Sequence, residues 1–115
     1  MKASKPETVI CTYRVKKGKE AAFKRKLAVH WPTLQKRGLV TREKARHYVG
    51  KDREGGTFFV EIFSWKDGSA AGLAHHDPAV MKVWEGMGPL CEERLGRPAM
   101  EFPHVEPLAL ALAKV

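Results

Sequence analysis

TFFVEIFSWKDGSAAGLAHHDPAVMKVW, residues Thr57 to Trp84, decides the fold. Its first nine residues hold Phe58, Phe59, Val60, Ile62, Phe63 and Trp65, types that suit a pleated, half-buried surface. Gly55-Gly56 precedes them and Lys66-Asp67-Gly68 follows, so turn residues bound a strand. Alternation sets Phe58, Val60 and Ile62 on one side and Phe59, Glu61, Phe63 and Trp65 on the other. Both sides are mostly apolar, so both faces of the sheet need cover. One layer of helices covers one face; a second copy of the chain is the expected cover for the other. The rest of the stretch reads as a broken helix, Ala70 to His76, capped by Asp67 or Ser69 and restarted at Asp77-Pro78. Asp is a preferred N-cap and Pro suits the first helical position.

Working back toward the N-terminus, Lys44 to Val49 reads as a strand with Ala45, His47 and Val49 on one side, joined to Thr57–Trp65 in an antiparallel hairpin. Before it, Lys19 to Arg37 is helical, with Phe23, Leu27, Trp31 and Leu34 as a buried stripe. Pro32 predicts a kink near His30-Trp31, and Lys36-Arg37-Gly38 is a stop signal. Thr8 to Val15 is the first strand, and the polar Met1 to Glu7 is expected to fray. Toward the C-terminus, Val80, Trp84, Met87 and Cys91 continue a helical stripe, with offset turns to Leu95. Arg97 to Val105 is a fourth strand, set at an edge or bulged by Pro98 and Pro103. Leu108 to Leu112 is an apolar tail, a short helix or an arm for a partner. The order β-α-β-β-α-β is the ferredoxin-like arrangement, an α+β fold with an antiparallel sheet. We expect one domain over 1–115, with its core in 8–105 and a tail at 106–115.

Composition agrees with a folded domain: 115 residues, 43% hydrophobic and 30% charged, enough for one modest core. No apolar run approaches the ~20 residues a membrane span needs. The N-terminal residues lack the apolar region of a secretory signal. Cys11 and Cys91 stand alone, without metal or redox spacing, so a cytoplasmic protein with two packed thiols is expected. Charge is uneven: residues 1–53 carry 16 Lys or Arg against 4 Asp or Glu, whereas 54–115 carry 5 against 9. The plain reading is a solvated basic helix face; the other is weak, salt-sensitive attraction to anions.

YRVKKGKEAAFKRKL, followed by VEIFSWKDGSAAGLAHHDPAVMKVW, resembles the antibiotic-biosynthesis-monooxygenase-like proteins of the dimeric α+β barrel superfamily. The shared pattern is a first strand with a Gly, Glu and Phe opening helix one, then a strand ending in Trp, an Ala-rich helix, a His and an Asp-Pro restart. The resemblance implies homodimers with sheets packed face to face and a pocket between each sheet and its helices. Some members of that family oxidise aromatic polyketides or quinols with dioxygen and no cofactor; others degrade haem. The haem-degrading members use an Asn on the first strand and a Trp and a His in the second helical region. By motif order those slots fall near Cys11, His75 and Trp84, and none matches.

The expected function is therefore cofactor-independent monooxygenation of a small aromatic substrate, with no cofactor and no metal. Alternatives are a non-catalytic ligand-binding or stress-response dimer and, further off, an RNA-binding module. His75 is the expected general base, because an imidazole titrates near neutrality; a packed or capping His beside Asp77-Pro78 is the plainer reading. Tyr13, Phe63, Trp84 and His47 are the expected substrate-binding residues, although each also suits a core. Glu61, in the middle of an apolar strand, is expected to pair with Arg14 or Arg46, or else to be a catalytic carboxylate. No HxxxH or HxH pair supports a metal. GGTFFVEI (55–62) keeps only Gly56, Phe59 and Val60 of an RNA-recognition motif and offers one stacking ring.

Overall fold

The computed structural model describes residues 5–115; part of the expected frayed N-terminus, residues 1–4, lies outside it. Strand β1 is Glu7–Arg14, helix α1 Glu20–Lys36, β2 Arg46–Lys51 and β3 Thr57–Trp65. Helices α2, Ala70–Ala74, and α3, Pro78–Met87, follow, and β4, Met100–Glu101, and β5, His104–Val105, close the sheet. The sheet order is β2-β3-β1-β4, with β5 also on β1, and the pairings are antiparallel. This is the α+β, ferredoxin-like topology. It follows from two hydrophobic periods in one chain, alternating in the strands and helical in α1 and α3.

The helices lie on one face of the sheet. Val9, Cys11, Tyr13 and Val15 from β1 and its extension meet Phe59, Phe63 and Trp65 from β3, and all are buried. Phe23, Leu27, Trp31 and Leu34 of α1 pack onto them. Phe23 sits between Tyr13 and Phe59, with ring centroids 5.1 and 5.4 Å away. Phe59 is thus beneath α1 rather than on the open sheet, so it offers no platform on which a base could stack. On the opposite face, Phe58, Val60 and Ile62 are only half-buried and Tyr48 is 53% exposed.

Helix α1 runs through Pro32 without ending. It stops where Gly38 takes a φ of 73°. There the Gly38 N–H donates to Gln35 and the Leu39 N–H to Leu34, the paired bonds of a Schellman cap. At the restart, Asp77 Oδ1 accepts from the Ala79 and Val80 N–H groups, as its N-cap position requires.

Several boundaries differ from those read in the sequence. The second strand begins at Arg46 and reaches Lys51, because the turn is tied by Asp52 Oδ1 accepting from Glu54 and Gly56. Helix α2 ends at Ala74, not His76. Helix α3 passes into a 3-10 turn, Gly88–Leu90, and does not reach Leu95; Cys91 instead bridges to Val15. The fourth strand is two short pieces, with Phe102 and Pro103 between them, because proline has no N–H for the ladder. Residues 106–115 form neither helix nor strand, and Leu108, Leu110 and Leu112 are exposed.

Candidate functional site: a cavity backed by a buried carboxylate

Between the sheet and the helices lies a cavity of about 220 Å³. Its walls include Tyr13 of β1, His30 of α1, Phe63 and Trp65 of β3, and Trp84 of α3. His75, the residue that closes α2, and Phe102 and His104, from the broken edge strand, also line it. The break between α2 and α3 turns His75 toward α3, where its ring lies 4.8 Å from that of Trp84. His75 is exposed to solvent, so it stands at the mouth. Of the adjacent pair His75-His76, only His75 lines this cavity.

Glu61 lies behind the wall. Its side chain is fully buried, on the helix-covered face of β3. Neither Arg14 nor Arg46 pairs with it. Arg14 turns away to Glu101 at 2.7 Å, and Arg46 lies opposite Ile62. The partners are three side chains from three elements. The Tyr13 hydroxyl donates to Oε1 at 2.9 Å. His30 Nδ1 lies 2.7 Å from the same oxygen, and His47 Nε2 lies 2.8 Å from Oε2. Cys11, Glu61 and His47 stand in register on adjacent strands, which brings His47 to the carboxylate.

An ionised carboxylate is costly to bury unless its lone pairs are filled. Burial pushes the Glu61 carboxyl up, but the hydrogen bonds from His30, His47 and Tyr13 outweigh it and hold the group down at about 2. Burial pushes the Tyr13 phenol well above its ordinary value, and the charges of Cys11 and Glu61 add to the effect. Tyr13 is therefore a fixed donor at neutral pH. The Cys11 thiol is raised as well, by burial first and by Glu61 second, so it stays protonated.

The chain of bonds continues through His30. Trp84 Nε1 lies 2.9 Å from His30 Nε2. An indole N–H can only donate, so Nε2 accepts and the His30 proton sits on Nδ1, facing Glu61. Trp84, His30 and Glu61 thus form one directed relay, with Tyr13 and His47 completing the carboxylate's shell.

Four of the residues singled out in the sequence, Tyr13, Phe63, His75 and Trp84, lie on the cavity wall. His47 does not: it lines a separate groove between α1 and β2 and reaches Glu61 from that side. His30 was missed. Its signal was its place on the α1 stripe, three residues after Leu27 and four before Leu34. A histidine there points into the core and needs a partner.

No protein-family model matches the sequence, and no curated protein sequence matches it. Solved structures do. SnoaB, a cofactor-independent oxygenase from Streptomyces nogalater, superposes with a TM-score of 0.62 at 17% identity, covering 96% of this chain and 99% of that one. The shared fold is the ferredoxin-like α+β arrangement described above. A candidate antibiotic biosynthesis monooxygenase from Bordetella bronchiseptica gives 0.68 at 15% identity, over 91% of this chain and 99% of that one. A dimeric ferredoxin-like protein from Jannaschia sp. gives 0.62 at 13%, over 89% and 99%. Identities this low speak to the fold and not to the reaction.

Proposed function

We propose that this chain binds a small hydroxylated aromatic molecule in the cavity and oxidises it with dioxygen, without a cofactor. One observation carries the reading: the cavity is walled by the rings of Tyr13, Phe63, Trp65, Trp84 and Phe102, with the imidazoles of His30, His75 and His104 set among them. Apolar walls with a few placed polar groups suit such a ligand. The naming of SnoaB as a cofactor-independent oxygenase is in keeping with it.

The chemistry balances without an outside reductant. Deprotonation gives an electron-rich anion, which passes an electron to dioxygen. The resulting pair forms a C–O bond and a hydroperoxide, and loss of water leaves a carbonyl. A ring CH₂ and O₂ thus become C=O and H₂O, the substrate supplying the electrons. His75 takes the substrate proton at the mouth, while Phe63 and Trp84 hold the ring. His47 contributes through Glu61 and not by touching the ligand.

The active form is a homodimer, with the half-buried face of Phe58, Val60 and Ile62 against its twin. No helix among the described residues is long and apolar enough to cross a membrane. Two buried free thiols fit a reducing, cytoplasmic setting. Binding to nucleic acid is limited to weak charge attraction by residues 1–53.

The test is oxygen uptake by the purified chain with hydroxyanthrones, whose ring CH₂ becomes the new carbonyl. One O₂ consumed per carbonyl formed, undiminished after treatment with chelator and removal of flavin, supports the reading. Binding with no oxygen uptake leaves a ligand carrier and sinks the oxygenase.

A further inference from the structure

His30 is the most buried imidazole of the cavity wall, 3% exposed. Its two nitrogens are placed unequally. Nδ1 is 2.7 Å from a carboxylate that accepts two further hydrogen bonds. Nε2, the basic nitrogen, is covered by the neutral N–H of Trp84. A carboxylate behind an imidazole fixes its tautomer and stabilises the imidazolium once a proton arrives at the other nitrogen. Among the described residues, no carboxylate is bonded to His75 at the mouth. A hydroxyl entering the cavity can replace the indole at Nε2, because an O–H donor is at least the equal of an indole N–H.

We propose that His30, held by Glu61, is a second acid–base residue of the cavity, and that it takes the proton of an aromatic hydroxyl seated at the cavity floor. The ligand O–H bond breaks, its proton forms the Nε2–H bond, and the electron pair stays on oxygen as phenolate. The Trp84 N–H, released from His30, is left beside the new anion as a donor. Total charge is unchanged, since a carboxylate, a neutral imidazole and a phenol become a carboxylate, an imidazolium and a phenolate. The groups facing His30 are Tyr13 from β1, Glu61 from β3 and Trp84 from α3; His47 of β2 shares its carboxylate, and His75 lies across the Trp84 ring. Tyr13 stays protonated and donates to Glu61 throughout. The inference rests on the aromatic-ligand reading above and narrows the ligand to phenols that present an acidic hydroxyl inward.

p-Nitrophenol is the probe, because its phenolate is coloured. It is titrated with the full chain at a pH where the free phenol is mostly neutral. The bound probe should be ionised roughly tenfold more than the free one, as a neighbouring cation requires. His30→Gln and Glu61→Gln should still bind it, with that excess lost. In the unmutated chain, the ¹⁵N shift of His30 Nε2 should move to its imidazolium value on binding, which needs no variant to fold. A probe bound in its neutral form, or an excess that survives in His30→Gln and vanishes in His75→Gln, overturns this assignment and leaves the aromatic site standing. No binding by p-nitrophenol, naphthol or naphthoquinol overturns both.

Discussion

The two faces of β3 have been put to different uses. Toward the helices, Phe59, Glu61, Phe63 and Trp65 are buried, and a carboxylate sits among aromatic rings with its lone pairs filled. Away from them, Phe58, Val60 and Ile62 are half-buried and carry no polar group at all. A carboxylate is kept where it can be satisfied and aimed; the outer row is apolar at Phe58, Val60 and Ile62, and its one polar member, Ser64, is bonded to Thr8. The inner face holds the candidate site, and the outer one is where we propose that a second copy packs. Substitutions on the two faces should therefore fail in different ways.

The largest effect is expected on the inner face. Glu61→Ala strands the buried donors of Tyr13 and His30 and releases the part-exposed His47, and should cost roughly 3–5 kcal/mol, the penalty for removing one partner of a buried ionic set. A lowered urea midpoint with an unchanged slope would show it. The same residue sets an acid limit. Its carboxyl is held at about 2 against an ordinary 4.5, so its contribution is complete above pH 4.5 and is lost as pH falls toward 2. Stability of the unmutated chain should drop across that window, and that part of the drop should be missing from Glu61→Gln. An equal acid slope in both would show that Glu61 does not ionise where its bonds imply.

The outer face comes next. If it packs against a second copy over an interface of obligate type, roughly 2,000 Å² or more, Ile62→Glu should weaken association at least 100-fold, about 3 kcal/mol. The protomer should remain folded, since Ile62 is not in the buried core. Sedimentation at micromolar concentration reads the outcome. A monomeric unmutated chain would end the division of labour between the faces.

How much of this could be read from the sequence differs between the faces in the same way. The apolar alternation of β3 and the stripe of α1 are local patterns, and they were enough for the topology. Chain ends of elements were less legible, because hydrogen bonds from elsewhere fix them; Arg94, for instance, clasps Asp52 and the Thr57 carbonyl across the sheet. The cavity walls could be named from the side each residue takes on its strand. The Glu61 relay could not, since its members are 14 to 48 residues from the carboxylate in sequence. The misassignment to Arg14 or Arg46 came from favouring charge over face. Both arginines lie opposite residues of the outer row of β3, Phe58 and Ile62, whereas Glu61 points inward.

The smallest effect on stability, and the sharpest on function, is expected at His75. Its ring is solvent-exposed, makes an edge contact with Trp84 and closes a short helix whose last bonds are backbone ones. Removing it leaves no buried donor stranded, so His75→Ala should shift the melting temperature by no more than about 2 °C, the scale of a few tenths of a kcal/mol in a domain of this size. If His75 is the base at the mouth, that variant should nevertheless lose oxygen uptake, while p-nitrophenol still binds and still ionises at the floor. His75→Phe should keep the aromatic contact with Trp84 and the binding, and also lose turnover. Loss of ligand binding along with turnover in both variants would make His75 part of the wall instead of the chemistry. Full turnover in both would leave the proton transfer to His30 alone, and the mouth would then be only an entrance.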